Sequence, residues 1–473
     1  MAHVQDVQPP PTGRFEPGKA GTGASTDLPT IAGESRAARQ IAVTIAAEVK
    51  PGRLSELRRT LEAMSADPAS NAIVPFAALP RTHFARFVLL DATEDPTGEP
   101  IEPQLLFMSD VDKPESADSA LEHCLGELVD VAGDGLDKLF GACSAYPTPS
   151  RATRPRRLAF LREHALAADA SYINTVGRSV LQIRREEQLR LAIERFLDLS
   201  GIDWQDRTAG EVRGAIQDFV ARQEELTWAG DPPPSAALGT RVADALQLVA
   251  VPAGLLALSP VLVPALPLFA LALRLQEERD PAPHIAPSRE HALRLAAQED
   301  HGVQNQLNAV SSGGVGFVKP GIVRRVTTEV VLRGVEFAAR HVYNHANLAG
   351  VKTIHSARWV FLDDRRRRMI FASNYDGSLE SYNDDFVDKL WWGLNAVFSN
   401  GIGFPSTRWL FFGGTRQEQP FKDYLRGQLV PSQVWYSAYP DLTALNIENN
   451  SRIRVGLHGE MSRAEAEEWL QRI

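Results

Sequence analysis

Apolar residues along this chain follow two periods, two for strands and three to four for helices, and the two alternate in an order that occurs twice. Residues 41–47, Ile-Ala-Val-Thr-Ile-Ala-Ala, carry the β-branched alternation of a strand, and Pro51-Gly52 ends it. Leu54, Leu57, Leu61 and Met64 then fall at helical spacing. Residues 83–91 and 105–110 read as two strands joined through a hairpin rich in proline and glycine. A helix is predicted over 121–140, a fourth strand near 170–175 and a charged helix over 181–199. After residue 300 the order returns: a strand before Val318, a helix over about 323–343, strands at 355–362 and 369–373, and a fourth strand at 434–438. The helix after Asp376-Gly377 has the clearest stripe, formed by Leu379, Tyr382, Phe386, Leu390, Leu394 and Val397.

The letters repeat as well as the periods. Val49-Lys50-Pro51-Gly52 returns as Val318-Lys319-Pro320-Gly321. The stretch from Thr82 to Asp91, with His83 and Arg86, returns from Ile354 to Asp363, with His355 and Arg358. Leu106 to Asp112 answers to Ile370 to Asp376, and Ser179 to Ile183 answers to Thr443 to Ile447. Matches in one order imply a duplicated module with the plan β-α-β-β-α-β, the ferredoxin-like arrangement. A sheet covered by helices on one face needs cover on the other, which a second copy can supply. The expected fold class is therefore α+β: tandem ferredoxin-like modules packed as an intramolecular α/β barrel, with an apolar helical insert. The expected organisation is a disordered leader over 1–38, a first module over 39–200, a helical linker over 201–300 and a second module over 301–473.

This ordering resembles the dimeric α/β-barrel superfamily, which includes dye-decolorizing peroxidases, chlorite dismutases and small antibiotic-biosynthesis monooxygenases. The resemblance covers both modules and rests on element order and duplication. It brings haem into consideration as a cofactor, although the glycine-rich haem-contacting signature of the peroxidases is not found. The segments Ser373-Asn374-Tyr375-Asp376-Gly377-Ser378 and Trp435-Tyr436-Ser437-Ala438-Tyr439-Pro440 are similar to a group of bacterial proteins of uncharacterised function.

From residue 245 to 273 no charge interrupts the chain. About 20 apolar residues span a bilayer once and roughly 40 are needed for two crossings, so this run is too short to cross and return. Pro252, Pro260, Pro264 and Pro267 divide it into short pieces. If the modules pack together, both ends of the insert lie on one side, and a monotopic dip into one leaflet at the cytoplasmic face fits. The other reading is a helical hairpin buried in a soluble core.

Composition narrows the function classes. The 473 residues contain 44% hydrophobic and 23% charged positions, ordinary globular values, and a net charge of -9 argues against nucleic acid as a partner. Two cysteines, Cys124 and Cys143, supply neither a disulfide framework nor a thiolate metal site. His341 and His345 lie four apart, but no glutamate follows the first in the zincin manner, and no metal site is expected. Gly313-Gly314-Val315-Gly316 is too short for a dinucleotide fingerprint, and no P-loop or nucleophile elbow occurs. Arg365 to Arg368 read as a solvated turn or, beside a membrane, as a contact for anionic head groups.

Candidate chemistry gathers on the repeated strands. His355, Arg358 and Asp376 are the candidate catalytic residues: a buried histidine can ligate haem or act as a base, and an arginine can hold a carboxylate or polarise a peroxide. Asn374, Tyr375, His83 and Arg86 are the candidate ligand-binding residues. Strand alternation sends histidine and arginine three apart to opposite faces. The structural alternative is that both pairs build the fold, with the arginines paired to Asp112 and Asp376. Two functions follow. One is a membrane-associated protein binding a small apolar ligand or haem, as an oxidoreductase on a lipophilic substrate; the other is a non-catalytic, membrane-tethered scaffold for a partner protein. The expected contacts are thus a lipid bilayer surface and either a small apolar ligand or a partner protein.

Overall fold

The computed structural model describes residues 38–113, 119–234, 238–280, 290–291, 293, 302–343 and 348–473. The leader expected over 1–38 lies outside these residues except for Ala38, and His345 lies outside them too. In chain order, β1 (Arg39–Glu48) leads through α1 (Leu54–Ser65) to β2 (Thr82–Leu90). A short ribbon of β3 (Thr93–Glu94) and β4 (Pro100–Ile101) connects to β5 (Gln104–Lys113), followed by α2 (Ala120–Phe140), α3 (Arg154–Glu163), β6 (Ala170–Ile173) and α4 (Val180–Leu199). The connecting region holds α5 (Ala209–Arg222), α6 (Leu238–Ala257) and α7 (Ser259–Glu277). Then come β7 (Gln304–Val310), α8 (Ile322–His341), β8 (Ile354–Phe361), β9 (Met369–Asp376) and α9 (Leu379–Phe398). A hairpin of β10 (Thr407–Arg408) and β11 (Phe412–Gly413), α10 (Glu418–Gln428), β12 (Val434–Ser437), α11 (Ala444–Val455) and α12 (Arg463–Leu470) complete the chain.

The long strands form two antiparallel four-stranded sheets, ordered β1-β5-β2-β12 and β6-β8-β9-β7. Each sheet takes its short edge strand from the other half of the chain. Ser437 of β12 stands opposite Phe84 of β2, and Ile173 of β6 opposite Ser356 of β8. Neither half therefore completes a four-stranded sheet alone. The expected closed barrel is absent among the described residues, because pairing between the sheets is limited to single bridges, Ile45 to Ala165 and Ala309 to Leu429. Two segments make this link by changing partners. Leu166 donates its N–H to Thr44, whereas Asp169 donates to Trp359; Val430 donates to Asn308, whereas Gln433 donates to Phe87. Pro431, which has no N–H to give, sits at the second crossing.

Alternation along each strand separates two apolar layers. Val88, Leu106 and Met108 of one sheet meet Val360, Ile370 and Ala372 of the other in an inner cluster. Phe87 and Phe107 face outward with Phe140 of α2, while Phe371 and Tyr375 pack outward on Phe398 and Tyr382 of α9. Fully burying one such side chain stabilises by about 1.5–3 kcal/mol, so both layers hold the sheets. Helix starts are fixed locally: Ser179 and Ser378 cap α4 and α9 through their hydroxyls, and Thr443 and Asn446 form a reciprocal cap on α11.

The apolar insert forms two full helices rather than short pieces. Proline breaks them only near Leu258, and Pro252, Pro264 and Pro267 lie inside the helical spans. A straight helix from Asp244 to Leu273 would separate its ends by roughly 44 Å. Asp244 instead pairs with Arg340 at 3.6 Å, and Leu273 packs beside Val323 and Val331, all on α8. Arg340 and Val331 are only about 14 Å apart along that helix. The arm is therefore bent, with both ends on the body. It is not a core hairpin, since only 6% of the apolar window of α7 is buried. Leu256, Val261 and Leu268 are exposed by 70% or more.

Three residues of the four-arginine turn are latched to the body, while Arg365 is exposed as expected of a solvated turn. Arg366 lies over the Phe361 ring and pairs with Asp169, Arg367 bonds Asp95 at 3.0 Å, and Arg368 is buried with its Nε donating to the Ser311 carbonyl. Burial lowers the Arg368 guanidinium to about 10.

Candidate functional site

The candidate residues sit where the sheets meet, at the polar end of the inner layer. Strand register slips at each histidine, between Thr82 and Phe84 and between Ile354 and Ser356. These β-bulges break strict alternation, so histidine and arginine are not sent to opposite faces as their spacing predicts. His83 Nε2 donates to Asp112 Oδ1 at 2.8 Å, and His355 Nε2 to Asp376 Oδ1 at 2.7 Å. The second carboxylate oxygen of each aspartate accepts a backbone N–H at a helix start: Val180 for Asp112 at 2.9 Å, and Ala444 for Asp376 at 2.8 Å. Each aspartate thereby fixes a bulged histidine to the first turn of a helix, whose dipole favours the negative charge.

The arginines do not pair with Asp112 and Asp376, because the histidines already occupy those carboxylates. They cross to the facing sheet instead. Arg86 donates from Nη1 to the Leu307 carbonyl at 3.0 Å and Asn308 Oδ1 at 2.9 Å, and from Nη2 to the Ser373 carbonyl and to Asn374. Arg358 donates from Nη1 to the Val43 carbonyl at 2.7 Å and from Nη2 to Asp110. Asp110 also accepts from Ser356 Oγ at 2.8 Å and Asn374 Nδ2 at 3.3 Å. Two buried guanidinium groups thus adjoin one buried carboxylate. Burial first, and the charge of Arg358 next, hold the Arg86 guanidinium down to about 9.

The two histidines are not equivalent. The Tyr439 hydroxyl lies 2.8 Å from His83 Nδ1, so a neutral His83 has both ring nitrogens satisfied. Burial, followed by the charges of Asp112 and Asp110, raises the Tyr439 phenol well above its usual value. His355 Nδ1 has no hydrogen-bond partner among the described residues. Its ring instead faces Phe84 across the sheets, with centroids 5.4 Å apart.

The structure brings His83, Arg86, His355, Arg358, Asn374 and Asp376 to the inner layer. It does not bring Tyr375, which alternates to the outer face, where its ring lies tilted against that of Tyr382 with centroids 4.2 Å apart. Sequence reasoning missed Asp110, Ser356 and Tyr439. Asp110 stands opposite Asn374 in the repeated segments, a position at which a charge in one copy and an amide in the other was a readable signal.

A lone imidazole nitrogen beside a carboxylate-bound partner nitrogen is chemically suited to ligate a metal or accept a proton. His355, however, is 2% exposed, and its surroundings are filled by protein atoms. Two cavities among the described residues lie away from this cluster. One of about 20 Å³ lies between β9 and α9 beside Phe371 and Phe398, and an open groove of about 710 Å³ lies by Lys50, Arg53 and Tyr146. Ligand pockets for drug-sized molecules run to about 300–1,000 Å³, so the residues around His355 do not fit a haem. No group of three or more histidine, cysteine, aspartate or glutamate side chains suited to a metal occurs among the described residues.

No family model, curated protein or solved structure matches this chain.

Proposed function

We propose that this protein is a membrane-tethered, non-catalytic scaffold whose two-sheet body is held rigid by the crossing arginines while the α6–α7 arm dips into one leaflet. The observation that carries the reading is an arm that is apolar and, from residue 245 to 268, exposed around its girth. A helix docking onto protein needs one apolar stripe, whereas lipid surrounds a helix evenly. From Leu258 the arms run roughly 21 Å to Asp244 and 24 Å to Arg274, less than the ~30 Å hydrocarbon core. Both ends return to the body, as a monotopic attachment requires. The buried free thiols of Cys124 and Cys143 suit the cytoplasmic face.

The same proposal takes the body as a duplicated ferredoxin-like unit whose copies share a barrel-like interior. Its support is repetition of contact as well as sequence. Both histidine–aspartate–helix links repeat, and both arginines cross. Lys50 and Lys319 each donate to the carbonyl just beyond a long helix, that of Gly141 after α2 and of Ser399 after α9. Each of those helices also kinks eight residues before its end, at Ala132 and at Leu390.

The unpartnered Nδ1 of His355 favours a second reading, a small apolar ligand bound between the sheets. One purification separates the two. Replacing residues 245–273 with a short glycine-serine linker should move the protein from the membrane to the soluble fraction, and the scaffold should purify with no bound small molecule by mass spectrometry. An unchanged distribution overturns membrane attachment, and a bound small molecule lost in His355→Ala but kept in His83→Ala overturns the non-catalytic assignment.

A further inference from the structure

The β10–β11 hairpin does something the fold alone does not require. Its tip, Trp409-Leu410-Phe411-Phe412, shows Trp409, Phe411 and Phe412 to solvent at 40%, 42% and 55% exposure, while Leu410 turns inward against Leu273 of α7. Trp409 and Leu410 both adopt left-handed backbone, with φ of 55° and 65°. Bulky residues adopt this conformation at a cost of about 1–3 kcal/mol each, so surrounding contacts must hold it. The holding group is Glu277, the last residue of α7. Its buried carboxylate accepts from Trp409 N at 2.8 Å, Leu410 N at 2.7 Å and Thr407 Oγ1 at 3.0 Å. The aromatic tip is thus clamped to the base of the apolar arm.

We propose that this hairpin is a second membrane-contacting element, seated in the head-group region of an anionic bilayer where the arm enters it. The inference rests on the membrane reading of the arm. Three observations select lipid as the occupant. Leu410 packs one helical turn above Glu277, which sets the tip level with Arg274, where the uncharged run of the arm ends. Tryptophan and phenylalanine at that depth match the boundary between lipid and water. Exposed Arg279, Arg408 and Arg416 flank the tip and complement anionic head groups. On the adjacent face of α8, exposed Ile322, Val326 and Val330 continue the apolar surface at helical spacing.

The test uses the full chain with vesicles of phosphatidylcholine alone or mixed with phosphatidylglycerol. The double variant Phe411→Ser/Phe412→Ser leaves both left-handed residues and the Glu277 clamp in place, and an unchanged melting curve verifies its fold. A second protein, Phe412→Cys carrying an environment-sensitive dye, reports the depth of the tip. The expected result is vesicle flotation of the parent chain that is stronger with phosphatidylglycerol, at least about tenfold weaker partition of the double variant, and a blue shift of the dye on vesicles. Equal partition of parent and double variant, with the dye still in water, overturns the hairpin proposal and leaves the arm reading standing. A parent chain that floats with neither lipid overturns both. A parent dimer that the double variant dissociates overturns lipid in favour of a second copy.

Discussion

One carboxylate between the sheets binds the Arg358 guanidinium and lies within the field of a second, that of Arg86, which makes Asp110 the decisive residue of the inner layer. Asp110→Asn leaves Arg358 charged, buried and without an ionic partner. Removing one member of a buried pair costs about 3–5 kcal/mol, so the urea midpoint should fall far, with the slope unchanged. Asp91→Asn breaks only the exposed pair with Arg58 and should cost about 0–1 kcal/mol. A similar loss in both variants would remove Asp110 from its central position. At this scale the sequence was partly legible. The recurrence of histidine and arginine marked the right residues, because both copies keep them. Their partners were not readable. A β-bulge leaves no composition signal, so the side to which His83 and His355 turn could not be counted from spacing. The bond from Arg86 to Asn374 depends on how the sheets meet, which no local pattern encodes.

At the scale of elements, the exchanged edge strands have the largest consequence. β12 supplies four residues to the first sheet and β6 four to the second, and each covers an edge that would otherwise present unpaired N–H and carbonyl groups. Cutting the chain at an inserted protease site between residues 234 and 238 should therefore yield two fragments that stay together in native buffer. Expressed separately, each fragment should aggregate. Size-exclusion chromatography checks both outcomes, and two stable, independent monomers would contradict the exchange. The existence of β6 and β12 was legible, since residues 170–175 and 434–438 read as strands from their β-branched and aromatic content. Their membership was not, because a four-residue strand pairs equally well with either open edge until the rest of the chain is in place. The insert shows a related limit: proline signals breaks, yet in α6 and α7 most of these prolines sit within helix.

For the whole molecule, alkaline pH is the sharpest global probe. Tyr382, Tyr424 and Tyr439 are buried, and burial raises each phenol above its ordinary value of 10. A group whose folded value is raised contributes stability that is complete below its unfolded value and is lost as pH rises beyond it. Unfolding then releases these protons above pH 10, and each phenol removes about 1.4 kcal/mol per pH unit. Arg86, held near 9, Arg368, held near 10, and the lowered Lys319 have the opposite sign, but the buried thiols of Cys124 and Cys143, each pushed up to about 12, act with the three phenols, so the falling trend prevails by number. The denaturation midpoint should be nearly level from pH 8 to 9.5 and fall steeply above about 10.5. A midpoint that climbs through that range would contradict the burial of these hydroxyls.

The borrowed strand also sets a schedule for synthesis. β2 leaves the ribosome long before β12 exists, and at about 5–20 residues per second the wait is on the order of tens of seconds. During that interval the first sheet has an open edge, and before β12 arrives to close it the apolar arm also leaves the exit tunnel and is free to meet a bilayer. Nascent chains on one message are then close enough to pair edge to edge. A chaperone that shields β2, or early attachment of the arm that spaces neighbouring chains along a membrane, would decide how much of the protein matures.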